Sequence, residues 1–99
     1  MGDDETRRIE ENLNVIRGYL ARSFVGFHIT EDKSSQCLWH TFTMSNRDTG
    51  EQVRLKVAWA RLSEESNTPD RTVRSLEHGG VAGKIRNANG DYFYWGIRL

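Results

Sequence analysis

Cysteine and proline each occur once in this 99-residue sequence, as Cys37 and Pro69. A lone cysteine excludes an intrachain disulfide and a zinc site made of paired cysteines. Long apolar runs are missing too: none approaches the roughly 18 residues of a membrane-spanning helix, and the N-terminus, MGDDETRR, has no apolar signal region. We therefore expect a cytoplasmic chain that binds no membrane.

An excess of charge of either sign is also missing, because 14 basic side chains balance 14 acidic ones. Sequence-independent affinity for nucleic acid depends on neutralising several phosphates, so a balanced chain favours a protein as the partner. The length suits one hydrophobic core, and we predict a single domain over residues 1–99.

The glycine-rich stretch EHGGVAGKIR, residues 77–86, ends on a Gly-Lys pair of the kind that closes a phosphate-binding loop. That loop needs an earlier glycine and a following hydroxyl, but His78 and Ile85 stand at those positions. The preceding residues predict a helix, with Thr68 as N-cap and Pro69 as its first residue. We interpret Gly79 as a left-handed C-cap and the glycines as a helix end.

The first segment of the chain has the clearest helical pattern. Its apolar residues recur at steps of four, three and four, at Ile9, Leu13, Ile16 and Leu20. Acidic residues suit its first turn, and Arg17 and Arg22 suit its last. The stripe is shorter than two heptads, so we expect it to pack on a sheet, and a homodimer through it is an alternative that the pattern does not favour.

Three strands are predicted in the middle of the chain. The cleanest is QVRLKVAW (52–59), in which Val53, Leu55, Val57 and Trp59 alternate with their neighbours. CLWHTFTM (37–44) and SFVGFHIT (23–30) also place apolar residues on one face, Leu38, Phe42 and Met44 in the first and Val25, Phe27 and Ile29 in the second. The loop SNRDTGE (45–51) is rich in turn formers and predicts a hairpin. These segments form an antiparallel meander.

Two more strands are predicted at the end, VAGKIR (81–86) and YFYWGIRL (92–99), joined at Asn89-Gly90, where both residues tolerate positive φ. Alternation places Tyr92 and Tyr94 on the face opposite Phe93 and Trp95. The fold class is therefore α+β, in the order α-β-β-β-α-β-β, with a mainly antiparallel sheet and the helices packed on one face.

No catalytic, metal or cofactor site is predicted. Cys37 and His40 are three residues apart on a strand and point to opposite faces. His28 and His40 can meet across neighbouring strands, but no third ligand is spaced to join them. We expect a protein that is not an enzyme.

A binding surface is predicted where aromatic and basic side chains share the last hairpin and the third strand, at Lys84, Arg86, Tyr92, Tyr94, Arg54 and Lys56. Tyrosine and arginine are common anchors of protein interfaces. The first hypothesis is a small interaction or regulatory domain, an adaptor or inhibitor, that binds a protein through this face or through a sheet edge. The alternative is a domain that binds single-stranded or structured nucleic acid with the same face, since bases stack on rings and cations contact the backbone.

A third, weaker hypothesis is a small-ligand pocket on the second face of the sheet, formed by Trp39, Phe24 and His28. The sequence leaves open whether these three residues line a core, an interface or a pocket.

Overall fold

The computed structural model of the chain describes residues 2–33 and 39–96. The elements in these ranges are α1 (Gly2–Ser23), β1 (His28–Lys33), β2 (Trp39–Ser45), β3 (Gln52–Ala58), α2 (Trp59–Ser63), α3 (Pro69–His78), α4 (Val81–Asn87) and β4 (Tyr92–Trp95). The α+β class is confirmed. The predictions for Cys37, Leu38 and residues 97–99 lie outside the described residues.

The four strands form one sheet in the order β1-β2-β3-β4. β1, β2 and β3 are antiparallel neighbours, with Ile29 opposite Met44 and Phe42 opposite Leu55. β4 runs parallel to β3. The sheet is therefore mixed. The chain passes through three helices between β3 and β4, and a crossover of that kind permits parallel pairing.

The hairpin between β2 and β3 is confirmed. The side chain of Asn46 accepts hydrogen bonds from the backbone N–H groups of Asp48 (2.9 Å) and Thr49 (3.3 Å). Gly50 follows with φ +74°, a conformation that glycine adopts without a steric penalty. This local turn fixes the register of β2 against β3.

The helical stripe of the first segment is confirmed, since Ile9, Leu13, Ile16 and Leu20 are all buried. The predicted start of β1 was too early. The backbone N–H of Phe24 still bonds to the carbonyl of Leu20, and Gly26 has φ +86°. The chain therefore turns at Gly26, and the strand begins at His28.

The helix predicted before the glycine-rich stretch is α3. The hydroxyl of Thr68 accepts a hydrogen bond from the backbone N–H of Arg71 (3.3 Å), and Pro69 is the first helical residue. The left-handed conformation falls one residue later than predicted, because Gly80 has φ +58° whereas Gly79 has φ −78°. Gly80 directs the chain from α3 into α4.

The strand predicted over residues 81–86 is wrong, because these residues belong to α4. Val81 and Ile85, four residues apart, are buried in the core, which is helical spacing. Asn89 and Gly90 do adopt positive φ, +53° and +90°, but their turn joins a helix to β4 instead of two strands. The order of elements in the described ranges is α-β-β-β-α-α-α-β.

One core lies between the helices and one face of the sheet. The central strands contribute alternate buried residues to it: Phe42, Met44, Val53, Leu55 and Val57. Their neighbours on β2 and β3 are less buried, which is the pattern of a sheet covered on one side. The helices therefore pack on one face, as the sequence predicted.

A buried polar network links the first three helices. The amide of Asn12 on α1 donates to the carbonyls of Leu62 (3.0 Å) and Asn67 (2.8 Å) and accepts from the hydroxyl of Thr72 (2.7 Å). Thr72 in turn accepts from the guanidinium of Arg61 (3.2 Å). Because buried polar groups are costly when unpaired, this network fixes how α2 and α3 lie against α1.

Candidate functional site

The sheet face opposite the helices, called the open face below, consists of the side chains that alternate with the core residues. Cross-strand pairing brings them together in rows: Thr43 lies opposite Arg54 on β3, and Arg54 lies beside Tyr92 on β4. The open face comprises His28, Thr30, Asp32, Trp39, Thr41, Thr43, Ser45, Gln52, Arg54, Lys56, Ala58, Tyr92 and Tyr94. None of the core residues lies on it.

Three aromatic rings form a cluster on the open face. The rings of Trp39 and Tyr94 meet edge to face, with centroids 5.1 Å apart, and Tyr92 lies 6.4 Å from Tyr94. Ala58, which pairs with Trp39, has only a methyl group and leaves room for this contact. Tyr92 is 37% exposed and Tyr94 46% exposed, so a folded chain presents both rings to solvent.

Two cations lie over these rings. The Nζ atom of Lys56 is 4.4 Å from the centroid of Tyr92 and 5.8 Å from that of Tyr94. The Cζ atom of Arg54 is 5.3 Å from the Tyr92 centroid, and its guanidinium donates to the amide oxygen of Gln52 (3.1 Å). The register explains the contacts, because Arg54 pairs with Tyr92 and Lys56 with Tyr94. The face thus combines aromatic surface with positive charge.

Of the six residues that the sequence placed in one binding surface, the structure brings four together: Arg54, Lys56, Tyr92 and Tyr94. Lys84 and Arg86 lie on α4, and α4 packs on the other side of the sheet. The prediction that they share a face with the tyrosines is wrong, because it assumed that residues 81–86 form a strand.

Arg86 is engaged in contacts within the chain. Its guanidinium donates to the carbonyl of Ser23 (3.2 Å), lies 3.9 Å from the carboxylate of Glu51 and covers the ring of Phe24 at 4.6 Å. These contacts join α4 to the end of α1 and to the start of β3. Lys84 is exposed on α4.

Trp39 belongs to the open face, although it was not among the residues predicted for the binding surface. Its alternation with Thr41 and Thr43 was the signal that could have included it. The pocket formed by Trp39, Phe24 and His28 is not present, because Phe24 is 1% exposed in the core whereas His28 lies on the open face. Phe24 is therefore a core residue.

A second cluster of charged groups lies under α1, on the helix side of the sheet. Arg17 donates two hydrogen bonds to Glu31, from Nε to Oε2 (2.6 Å) and from Nη2 to Oε1 (2.9 Å). The Nε2 atom of His40 is 2.8 Å from Oε1 of Glu31. Burial opposes ionisation of Glu31, but the hydrogen bonds from Arg17 and His40 outweigh it and lower the pKa of this carboxyl.

This cluster connects α1 to β1 and β2. Glu31 and His40 lie on adjacent strands, and Arg17 reaches Glu31 from the helix above. The Nδ1 atom of His40 is buried and has no hydrogen-bond partner in the described part of the chain. His28 lies on the opposite face, so the two histidines do not meet.

Within residues 2–33 and 39–96, no three His, Cys, Asp or Glu side chains are placed to hold a metal ion. No helix in these ranges is long and apolar enough to cross a membrane. Comparisons with protein-family models, curated proteins and solved structures find no match for this chain. The interpretation of the open face therefore depends on its own geometry and charge.

Proposed function

We propose that this chain is a non-catalytic interaction domain, of the adaptor or inhibitor type, that binds a protein partner on the open face. The observation that carries the proposal is the cluster of Trp39, Tyr92 and Tyr94, over which Arg54 and Lys56 lie, on a sheet face that the helices leave uncovered. Tryptophan, tyrosine and arginine are the residues that most often anchor protein interfaces.

The charge of the open face indicates the character of the partner. Among the described residues of the open face, the cations Arg54 and Lys56 outnumber the one acid, Asp32, so this part of the face is positive although the whole chain is neutral. Complementary charge guides encounter and orientation more than it sets affinity. An acidic segment of the partner, with apolar groups that cover the rings, fits this surface.

The size of the open face limits the strength of the complex. Four strands spaced by about 4.8 Å, with about 3.4 Å of rise per residue, give the seven-residue central strands a face of roughly 14 Å by 24 Å. An interface of standard size buries about 800 Å² on each partner. The open face alone therefore suits a transient complex, and a tighter one needs contacts beyond it.

Single-stranded nucleic acid is the second candidate for the same face, because cations interleave with rings there. The structure leaves only two of the predicted cations on the aromatic face, since Lys84 and Arg86 lie elsewhere. Two phosphate contacts give weak binding at physiological salt, so the protein partner is favoured.

Affinity capture from an extract of the source cells tests the proposal, with Tyr94→Ser as the test variant and Lys84→Ser as the control. Both positions are exposed, but only Tyr94 lies on the open face. We expect at least one protein that the natural chain and Lys84→Ser retain and that Tyr94→Ser loses. Retention of every captured protein by Tyr94→Ser would contradict the proposal.

A titration with a mixed single-stranded oligonucleotide at low salt tests the second candidate. We expect no amide shifts at Lys56, Tyr92 and Tyr94. Salt-sensitive shifts at these residues would make nucleic acid the leading partner.

A further inference from the structure

A groove continues the open face beyond the end of β3, and we call it the end groove. Its walls include Trp39, Ala58, Arg61, Glu64, Asn67 and Gly96, and its volume is about 470 Å³. Trp39 and Ala58 are cross-strand partners on the open face and also line the groove. A chain that lies on the open face therefore reaches the end groove without leaving the surface.

Arg61 is the cation of the end groove, and its position is fixed. Its guanidinium lies 4.7 Å from the centroid of Trp95 and donates to the hydroxyl of Thr72 (3.2 Å). The backbone of Gly96 covers the aliphatic part of its side chain. A Cβ atom at Gly96 would be 2.5 Å from Cβ of Arg61, so only glycine permits this approach.

Among the described residues, two charged groups act on Arg61: the cation Arg71 and the acid Glu64, which also lines the groove. Burial lowers the pKa of Arg61, and the charge of Arg71 lowers it further. Glu64 acts in the opposite direction but more weakly than Arg71. An anion beside the guanidinium would therefore be favoured by charge, and the planar fork suits a carboxylate with two hydrogen bonds.

We infer that the end groove binds a carboxylate side chain of the partner's docking segment, with Arg61 as the group that recognises it and Trp39 as the apolar wall beside it. The inference rests on the proposed function, since it takes the anion to be part of the protein on the open face. It adds the contact that the open face is too small to supply. The docking segment then carries an acidic residue next to an apolar or aromatic one.

Three small probes test this on the natural chain: 3-phenylpropanoate, its neutral amide and inorganic phosphate. Each is titrated into ¹⁵N-labelled protein while the indole N–H of Trp39 and the backbone amide of Gly96 are followed. We expect the carboxylate to bind at least about tenfold more tightly than the amide, because only the carboxylate gains charge-assisted hydrogen bonds. Equal affinities, no shifts at both reporters, or tighter binding of phosphate than of the carboxylate would overturn the inference.

Two variants test whether Arg61 causes the preference for the carboxylate over the amide. Arg61→Gln is expected to make the carboxylate and the amide bind alike, and a folded Arg61→Gln protein that keeps the preference would refute the role of Arg61. Arg61 also packs on Trp95, so Arg71→Gln, at an exposed position, supplies the test if the first variant unfolds. Its carboxylate affinity should fall about twofold through the lost charge, with the amide unaffected; an unchanged carboxylate affinity would contradict the inference.

The two proposals fail in different ways. If the open face is not a docking surface, no partner depends on Tyr94, whereas the probes still distinguish carboxylate from amide. If the inference about the end groove is wrong, a partner that depends on Tyr94 is found and the probes show no preference.

Discussion

Replacing Asn12 with alanine removes three hydrogen bonds at once from the interior of the helical layer. Asn12 is fully buried, and its amide serves the carbonyls of Leu62 and Asn67 and the hydroxyl of Thr72. Each hydrogen bond contributes about 1 kcal/mol net to stability. The two carbonyls and the hydroxyl that are left unpaired in the interior add the cost of their desolvation. We expect the variant to lose about 3–4 kcal/mol of unfolding free energy.

A loss of that size is a large part of the roughly 5–15 kcal/mol that stabilises a typical domain. Urea unfolding measures it, and with a slope of about 1–1.5 kcal/mol per molar the midpoint should fall by roughly 2–4 M. Asn14→Ala is the matched control, because Asn14 is exposed on the same helix and only accepts from Arg17. The control should change stability by less than about 0.5 kcal/mol.

A double-mutant cycle with Thr72→Val tests whether the network acts as a unit. The hydroxyl of Thr72 donates to Asn12 and accepts from Arg61, so either single change leaves a buried group unpaired. We expect a coupling of at least about 1 kcal/mol between the two changes. A cost below about 1 kcal/mol for Asn12→Ala, or additive effects in the cycle, would refute the assigned role.

Glu31→Gln should destabilise the chain at neutral pH by less than about 1 kcal/mol. Folding lowers the pKa of Glu31, so its contribution to stability is present above its unfolded pKa and is lost as the pH falls through its folded pKa. The urea midpoints of the natural chain and of Glu31→Gln should therefore converge in acid. A difference between the midpoints that does not change with pH would be inconsistent with an ionised Glu31. Gly96→Ala should cost about 1–3 kcal/mol more than Gly26→Ala in thermal unfolding, since both glycines have positive φ but only Gly96 meets Arg61; equal costs would argue against this contact. Gly83→Ala should stabilise the chain by about 0.5–1 kcal/mol, because Gly83 is exposed inside α4 with open space around its Cβ position; a loss of stability would contradict the helix.

The fold follows from the sequence where one periodicity dominates a long segment. The spacing of Ile9, Leu13, Ile16 and Leu20 over α1 allows only a helix, and strict alternation over β3 allows only a strand. Residues 81–86 are different, because six residues with apolar positions at 81, 82 and 85 fit either period. The packing of Val81 and Ile85 against the core decides in favour of the helix, and a single sequence does not show that packing.

The candidate site, like the fold, could be predicted from the sequence only in part. Alternation alone places Arg54 and Lys56 on the same face of β3. It also places Tyr92 and Tyr94 on the same face of β4. Their contact depends on the parallel pairing of β3 with β4, which the three-helix crossover permits. Arg61 was outside the predicted surface because α2 begins directly after β3, where the strand pattern continues through Trp59.

Photo-crosslinking shows directly whether a protein binds the open face. A benzophenone amino acid is placed at Thr43, on the open face, or at Lys84, on α4, and the chain is irradiated in an extract of the source cells. We expect a discrete adduct from position 43 that protease removes and nuclease does not, and no such adduct from position 84. No adduct from position 43, or the same adducts from both positions, would contradict the claim, and a nuclease-sensitive adduct would assign the open face to nucleic acid.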